Sequence, residues 1–144
     1  MSLQYNSKLA KKIYELFNDD KIEEFADLYS ESCTLLQVPT NQVFKGREGV
    51  VQAAKGWKTA FSDAKCEVKN QVVTEDFIIT EFNGVGTNDG KLETPMGTIP
   101  PTGKNVNIPF IEVMKVKNGK IDDYKLYFDT ATMMQQLELT AEKV

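Results

Sequence analysis

The chain contains no histidine. Any proton transfer it performs must run through Asp, Glu, Tyr, Lys or water, and imidazole metal sites and Ser-His arrangements are excluded. The best-placed carboxylate is Glu112. Ile108, Phe110, Glu112, Met114 and Val116 recur at period two, so one acid shares a strand face with four apolar side chains. Burial on such a face disfavours charge and lifts the pKa above about 4.3, which is how enzymes bring a carboxyl toward neutrality. The plainer alternative is a Glu112 at a pocket mouth, solvated or paired with a lysine. Asp129 is either a second acid in the same pocket or the N-cap of a helix, because Asp129-Thr130-Ala131-Thr132 suits capping. Tyr14, Trp57 and Tyr124 each join an aromatic body to a polar tip and could orient a ligand or simply pack. Asn88 could donate to a carbonyl or form a turn. Phe110, Met114 and Leu126 would line the walls.

The elements that must position these residues centre on Lys104 to Asp129. Two runs rich in Val, Ile, Phe and Tyr flank Asn118-Gly119, a dipeptide that suits a type I′ hairpin turn. Tyr124, Leu126 and Phe128 form the inner face of the second run. Upstream, Leu9, Ile13, Leu16 and Phe17 make one helical stripe capped by Asn6 or Ser7. Asp20 with Glu23 resembles a capping box for a second helix carrying Ile22, Phe25, Leu28 and Tyr29. Cys33 to Val38 reads as a short strand, Val43 to Gly46 as a connector and Gly46 to Phe61 as a third helix. Ala64 to Thr74 and Phe77 to Asn88 read as strands, Asn88 to Gly103 as a long Gly- and Pro-rich binding loop or lid, and Ala131 to Leu139 as a final helix. Helices thus segregate from an antiparallel sheet, giving an α+β class. A curved sheet wrapped on three helices forms a cone with an internal pocket.

A single domain over residues 1–144 is expected from the length. Net charge is −4 with both signs mixed, which argues against a nucleic-acid partner and a polybasic membrane patch. No apolar run approaches the roughly 18 residues of a membrane span, and no apolar signal core opens the chain, so a cytoplasmic protein is expected. Cys33 and Cys66 lack C-x-x-C spacing and read as reduced thiols. Ile111, Val113 and Tyr127 would lie on the outer sheet face, where a strip of that kind suggests a sheet-to-sheet homodimer.

Several strings resemble the SnoaL-like polyketide cyclase family, within the NTF2-like superfamily that also holds ketosteroid isomerases. Phe44-Lys45-Gly46-Arg47-Glu48-Gly49 and Trp57 through Phe61-Ser62-Asp63 are similar to the entry and exit of that family's third helix. Gly86-Thr87-Asn88-Asp89-Gly90 resembles a Gly-Thr-His-x-Gly segment, and Pro100-Pro101-Thr102-Gly103-Lys104 its most recognisable string. Asn118-Gly119-Lys120-Ile121 and Asp129 through Leu137 complete the pattern over roughly residues 9 to 139. The resemblance implies an NTF2-like cone. The catalytic aspartate of family cyclases falls at Leu126, and two family histidines fall at Glu112 and Asn88, so the scaffold is kept while the catalytic positions differ. The ketosteroid isomerases' first-helix tyrosine has a candidate in Tyr14. What the resemblance and the residues imply together is a cofactor-free, metal-free lyase or isomerase acting next to a carbonyl on a small hydrophobic molecule. Glu112 would be acid or base there, with Tyr14 and Asn88 polarising the carbonyl. A non-catalytic ligand-binding module and a dimerisation domain are the alternatives.

Overall fold

The computed structural model of the protein describes residues 3–139. The first helix, α1 (Leu3–Asn18), buries Leu9, Ala10, Ile13, Tyr14 and Leu16, with Phe17 half-buried beside them. Asn6 lies inside this helix rather than at its cap. It is fully buried, and its Nδ2 donates to the carbonyls of Thr74 and Glu75 at 3.0 and 2.9 Å, tying α1 to a distant turn. The expected capping box is also absent. Asp20 takes a positive φ of 61° and sends its carboxylate to Lys58 Nζ at 2.8 Å. The short α2 (Ile22–Ala26) therefore starts at Lys21 with no side-chain cap.

The strand around Cys33 is longer than its sequence suggests: β1 runs Tyr29–Gln37, and β2 (Gln42–Lys45) occupies the stretch read as a connector. Helix α3 (Gly46–Ala60) follows, then β3 (Lys65–Val73) and β4 (Phe77–Thr87). The long loop is not structureless, because β5 (Leu92–Thr94) and β6 (Gly97–Ile99) pair into a small ribbon within it. The hairpin β7 (Asn105–Lys117) and β8 (Lys120–Phe128) turns at Asn118 and Gly119, whose φ of 52° and 75° are the two positive values a type I′ turn needs. Helix α4 (Thr130–Gln136) closes the described chain.

Six strands form one curved sheet in the order β2-β1-β8-β7-β4-β3. The four expected antiparallel strands β3, β4, β7 and β8 are present, but the sheet is mixed, because β1 joins β8 in parallel. Alternation on β7 is strict: Val106, Ile108, Phe110, Glu112, Met114 and Val116 all point inward. On β8 the alternation is broken once. Lys115 pairs with Asp123 and Val116 with Ile121, leaving Asp122 as an extra residue. That bulge turns both Ile121 and Tyr124 into the core, and the Asp122 carboxylate accepts hydrogen bonds from Ser30 and Ser32 at 2.7 and 3.2 Å. The core lies between this inner face and α1, α2 and α3.

Candidate active site

Between the helices and the inner sheet face lies a cavity of about 90 Å3. Helix α1 supplies Tyr14 and Phe17, α3 supplies Trp57, β4 supplies Phe82, and the β7–β8 hairpin supplies Phe110, Glu112, Tyr124 and Leu126. An inner strand face and a helix flank, each apolar by its own periodicity, leave a space walled by rings. Phe82 and Phe110 stack at 4.9 Å with a 9° interplanar angle, and Trp57 meets Phe110 and Phe128 edge-on at 5.7 and 5.5 Å. Phe110 lies so close over Gly84 that a Cβ there would come within 2.5 Å of its ring, so the wall requires glycine at this position.

Two polar groups meet among these rings. Tyr14 Oη donates to Glu112 Oε1 at 2.6 Å, bridging the first helix to the middle of β7. Only 6% of Glu112 is exposed. Burial pushes its pKa up to about 7, and the Tyr14 hydrogen bond, which favours the ionised form, holds it from rising further. Burial, and then the Glu112 charge, push the Tyr14 hydroxyl well above its ordinary range, so it stays a neutral donor. Among the described residues no second donor reaches the Glu112 carboxyl. A carboxyl balanced near neutrality can accept a proton or release one at little cost, which is the property of a general acid or base.

The sequence-derived candidates divide cleanly. Tyr14, Trp57, Phe110, Glu112, Tyr124 and Leu126 all line the cavity. Met114 shares the inner face and is fully buried, but it packs beyond Glu112 and is not part of the lining. Asn88 does not face the cavity. Its Nδ2 donates to the carbonyls of Ala60 and Gly90, both at 3.0 Å, and its Oδ1 accepts from the Thr102 amide and hydroxyl at 2.9 and 2.8 Å. With every polar atom engaged, it fastens the base of the β5–β6 loop and has nothing left for a carbonyl. Asp129 is exposed and caps α4, accepting from Thr132 N at 3.0 Å and Thr132 Oγ1 at 2.7 Å, bonds that hold its carboxyl below the usual range. Both corrections have one cause: short polar side chains at element ends satisfy nearby orphaned backbone groups first.

Three polar lining residues were not among the site candidates read from the sequence. Gln37, at the end of β1, donates to Thr40 and Gln42. Lys65 donates to the Asn18 carbonyl at 2.9 Å. The Cys66 thiol, pushed well up by burial, is neutral. Their strands alternate too loosely for sequence alone to assign a face. Among the described residues no group of three or more carboxylate or thiol side chains is placed to hold a metal ion, and no helix is long and apolar enough to cross a membrane.

Comparison with known proteins agrees with this architecture. A candidate SnoaL-like polyketide cyclase from Jannaschia sp. CCS1 superposes with a TM-score of 0.83 at 16% identity, covering 95% of this chain and 94% of that one. A protein with a ketosteroid isomerase-like fold from Catenulispora acidiphila gives 0.77 at 12% identity, covering 93% and 95%. IdmH, a candidate polyketide cyclase from Streptomyces antibioticus, gives 0.76 at 23% identity, covering 92% and 98%. These likenesses establish the NTF2-like cone. No curated protein matches the chain. The SnoaL-like polyketide cyclase family model matches residues 7–137, nearly the whole described chain, and the protein belongs to that family.

Proposed function

We propose that the protein binds a small, uncharged, largely apolar carbonyl compound and moves a proton at the carbon beside the carbonyl, as a cofactor-independent cyclase, isomerase or lyase. The observation that supports this is the 2.6 Å contact between Tyr14 and Glu112, set among aromatic walls with the carboxyl poised near pH 7. Glu112 takes the proton and returns it. Once Glu112 has taken the proton, the Tyr14 hydroxyl, released from the carboxylate, turns as a neutral donor to the charged carbonyl oxygen. The rings exclude water and strengthen both interactions. A cavity of about 90 Å3 is smaller than the roughly 150 Å3 that holds a benzene ring, so a ring-sized ligand displaces Phe110 or Trp57 on entry.

The test is exchange of α-protons for deuterium in a panel of small cyclic and aliphatic ketones, followed by NMR with the parent and Glu112→Gln. Exchange by the parent that rises through pH 7 and vanishes in the variant is expected. Binding without exchange in both would leave a ligand-binding module, a reading favoured by the absence of an acid at Leu126, where family cyclases carry one.

We further infer that two copies meet through the outer sheet face, at a site separate from the cavity. Ile111 and Tyr127 are paired neighbours about two-fifths exposed, and Val113 lies beside them. Glu81 and Lys125 flank the strip with opposite signs, which a two-fold contact can pair. Light scattering at micromolar concentration should give twice the 16.2 kDa chain mass; a monomer overturns this. The free thiols Cys33 and Cys66 suit a reducing, cytoplasmic setting.

A further inference from the structure

Pairing across the sheet sets four inward side chains in one row: Thr80 of β4 stands opposite Glu112 of β7, Glu112 opposite Leu126 of β8, and Leu126 opposite Gln37 of β1. Thr80 is fully buried, with Gln71 Nε2 donating to its oxygen at 3.2 Å. Glu112, Leu126 and Gln37 all line the cavity. Gln37 is only 8% exposed, so a buried neutral amide ends the row that holds the acid. The Thr40 hydroxyl donates to the main-chain carbonyl of Gln37 at 3.3 Å. With its proton spent there, Thr40 Oγ1 can only accept, so the side-chain group that reaches it at 3.0 Å must be the Gln37 amide nitrogen. The second N–H of that nitrogen goes to Gln42 Oε1 at 3.2 Å. The turn after β1 thus uses the whole donor end of the amide. Among the described residues nothing donates to its acceptor end, Oε1.

We infer that Gln37 Oε1 is the specificity-determining acceptor of this cavity, and that the ligand is a carbonyl compound bearing a hydroxyl or N–H group across from its reacting carbon. The inference rests on the proton-transfer reading above and adds a second polar point to it. With one polar contact an apolar ketone can turn in the cavity, whereas two contacts fix which carbon faces Glu112. The row sets the spacing between them. Glu112 and Gln37 lie two strands apart, roughly 10 Å from backbone to backbone. Leaving about 3 Å for contact at each end, on the order of 4 Å separates the reacting carbon from the ligand's donor atom. A six-membered ring lying over Leu126 spans that distance.

The clasp on the nitrogen makes the preference one-sided. A free glutamine amide turns over and serves donors and acceptors alike. Here Thr40 and Gln42 hold the N–H groups, so only the carbonyl end is offered to a ligand. A ligand hydroxyl or N–H makes a bond that the fold leaves unmade at Oε1. An ether oxygen or a second carbonyl at the same point meets lone pairs and is rejected. Service to the turn alone accounts for the nitrogen and leaves the oxygen, on a cavity-lining residue, without a use.

The experiment is NMR-detected binding of cyclohexanone, 4-hydroxycyclohexanone and 4-methoxycyclohexanone to the full chain, with α-proton exchange into deuterium followed in the same samples. The parent should bind the hydroxy ketone about tenfold more tightly than either of the others. Gln37→Met, which keeps side-chain length and gives up the amide, should weaken the hydroxy ketone to the level of cyclohexanone. Thr40→Val serves if Gln37→Met fails to fold. It takes one partner from the amide, lets the amide turn over, and should raise the methoxy ketone toward the hydroxy ketone. Equal binding of the hydroxy and methoxy ketones by the parent, with exchange still seen, overturns the Gln37 inference and leaves the proposed chemistry standing. A hydroxyl preference that survives Gln37→Met overturns it as well. A preference that depends on Gln37, with no exchange of any ketone, supports the acceptor and counts against the chemistry. A parent that binds none of the three overturns both.

Discussion

Glu112 and Asp129 belong to one hairpin and lie three positions apart in register, since Glu112 pairs with Leu126, yet their environments are opposed. Glu112 points into the cone among aromatic rings, accepts one hydrogen bond, and has its pKa raised to about 7. Asp129 stands past the end of β8 in solvent, accepts two bonds from Thr132, and has its pKa lowered. The chemistry of a carboxylate here is decided by which way its strand position points and by how many donors reach it. The inward acid gives up stability to hold a reactive group. The outward acid contributes stability and is unsuited to taking protons at neutral pH.

The sharpest way to break that contrast is Glu112→Gln. A carboxyl with a raised folded pKa binds more protons folded than unfolded, so its contribution falls as pH rises from the unfolded value of 4.5 through about 7. At about 1.4 kcal/mol per unit, the parent should lose about 3 kcal/mol between pH 4 and pH 8 that Glu112→Gln does not lose. Denaturant unfolding at both pH values measures this. A variant clearly less stable than the parent at pH 8 would show Glu112 to be a paired structural acid. Tyr14→Phe comes next. Losing a buried donor to a charged group costs about 2 kcal/mol, and more of it should appear at pH 8 than at pH 5, because only the ionised carboxyl fully uses the bond. An equal loss at both would mean that Tyr14 contributes packing alone.

Gly84→Ala acts on the aromatic wall of the same cavity. It should cost about 1–2 kcal/mol by driving Phe110 off Gly84, and it should alter ligand entry without moving the Glu112 titration. The smallest effect belongs to Asp129→Ala. It should lower the melting temperature slightly at neutral pH, and the difference should fade in acid as the parent's depressed carboxyl protonates. Activity should be unchanged, and a loss of turnover would return Asp129 to the site.

The parts of this molecule legible from sequence are those whose cause is local. Asn118-Gly119 declares its turn because both residues tolerate positive φ, and the uninterrupted alternation of β7 places Glu112 inside without any knowledge of partners. Other features depend on distant groups. The roles of Asn88 and Asn6 follow from carbonyls at Ala60 and Thr74 that only folding brings near. The inward turn of Ile121 needs the bulge at Asp122, which two serines of β1 stabilise. Thr80 had a local signal, a polar residue flanked by Ile78 and Phe82 at period two, the same signature that singled out Glu112. It was hidden because a threonine in a strand arouses no suspicion.

The parallel pairing of β1 with β8 carries a kinetic consequence. Leu35 lies beside Tyr124, and Gln37 beside Leu126, across about ninety residues of chain. The strand made first can complete its pairing only after the strand made last has emerged. Until then Leu35 and Gln37, which form one side of the cavity, have β2 as their only strand partner. Closing so long a loop is entropically expensive and slow, so the cone should take shape from its hairpin and meander first, with the wall at β1 docking late.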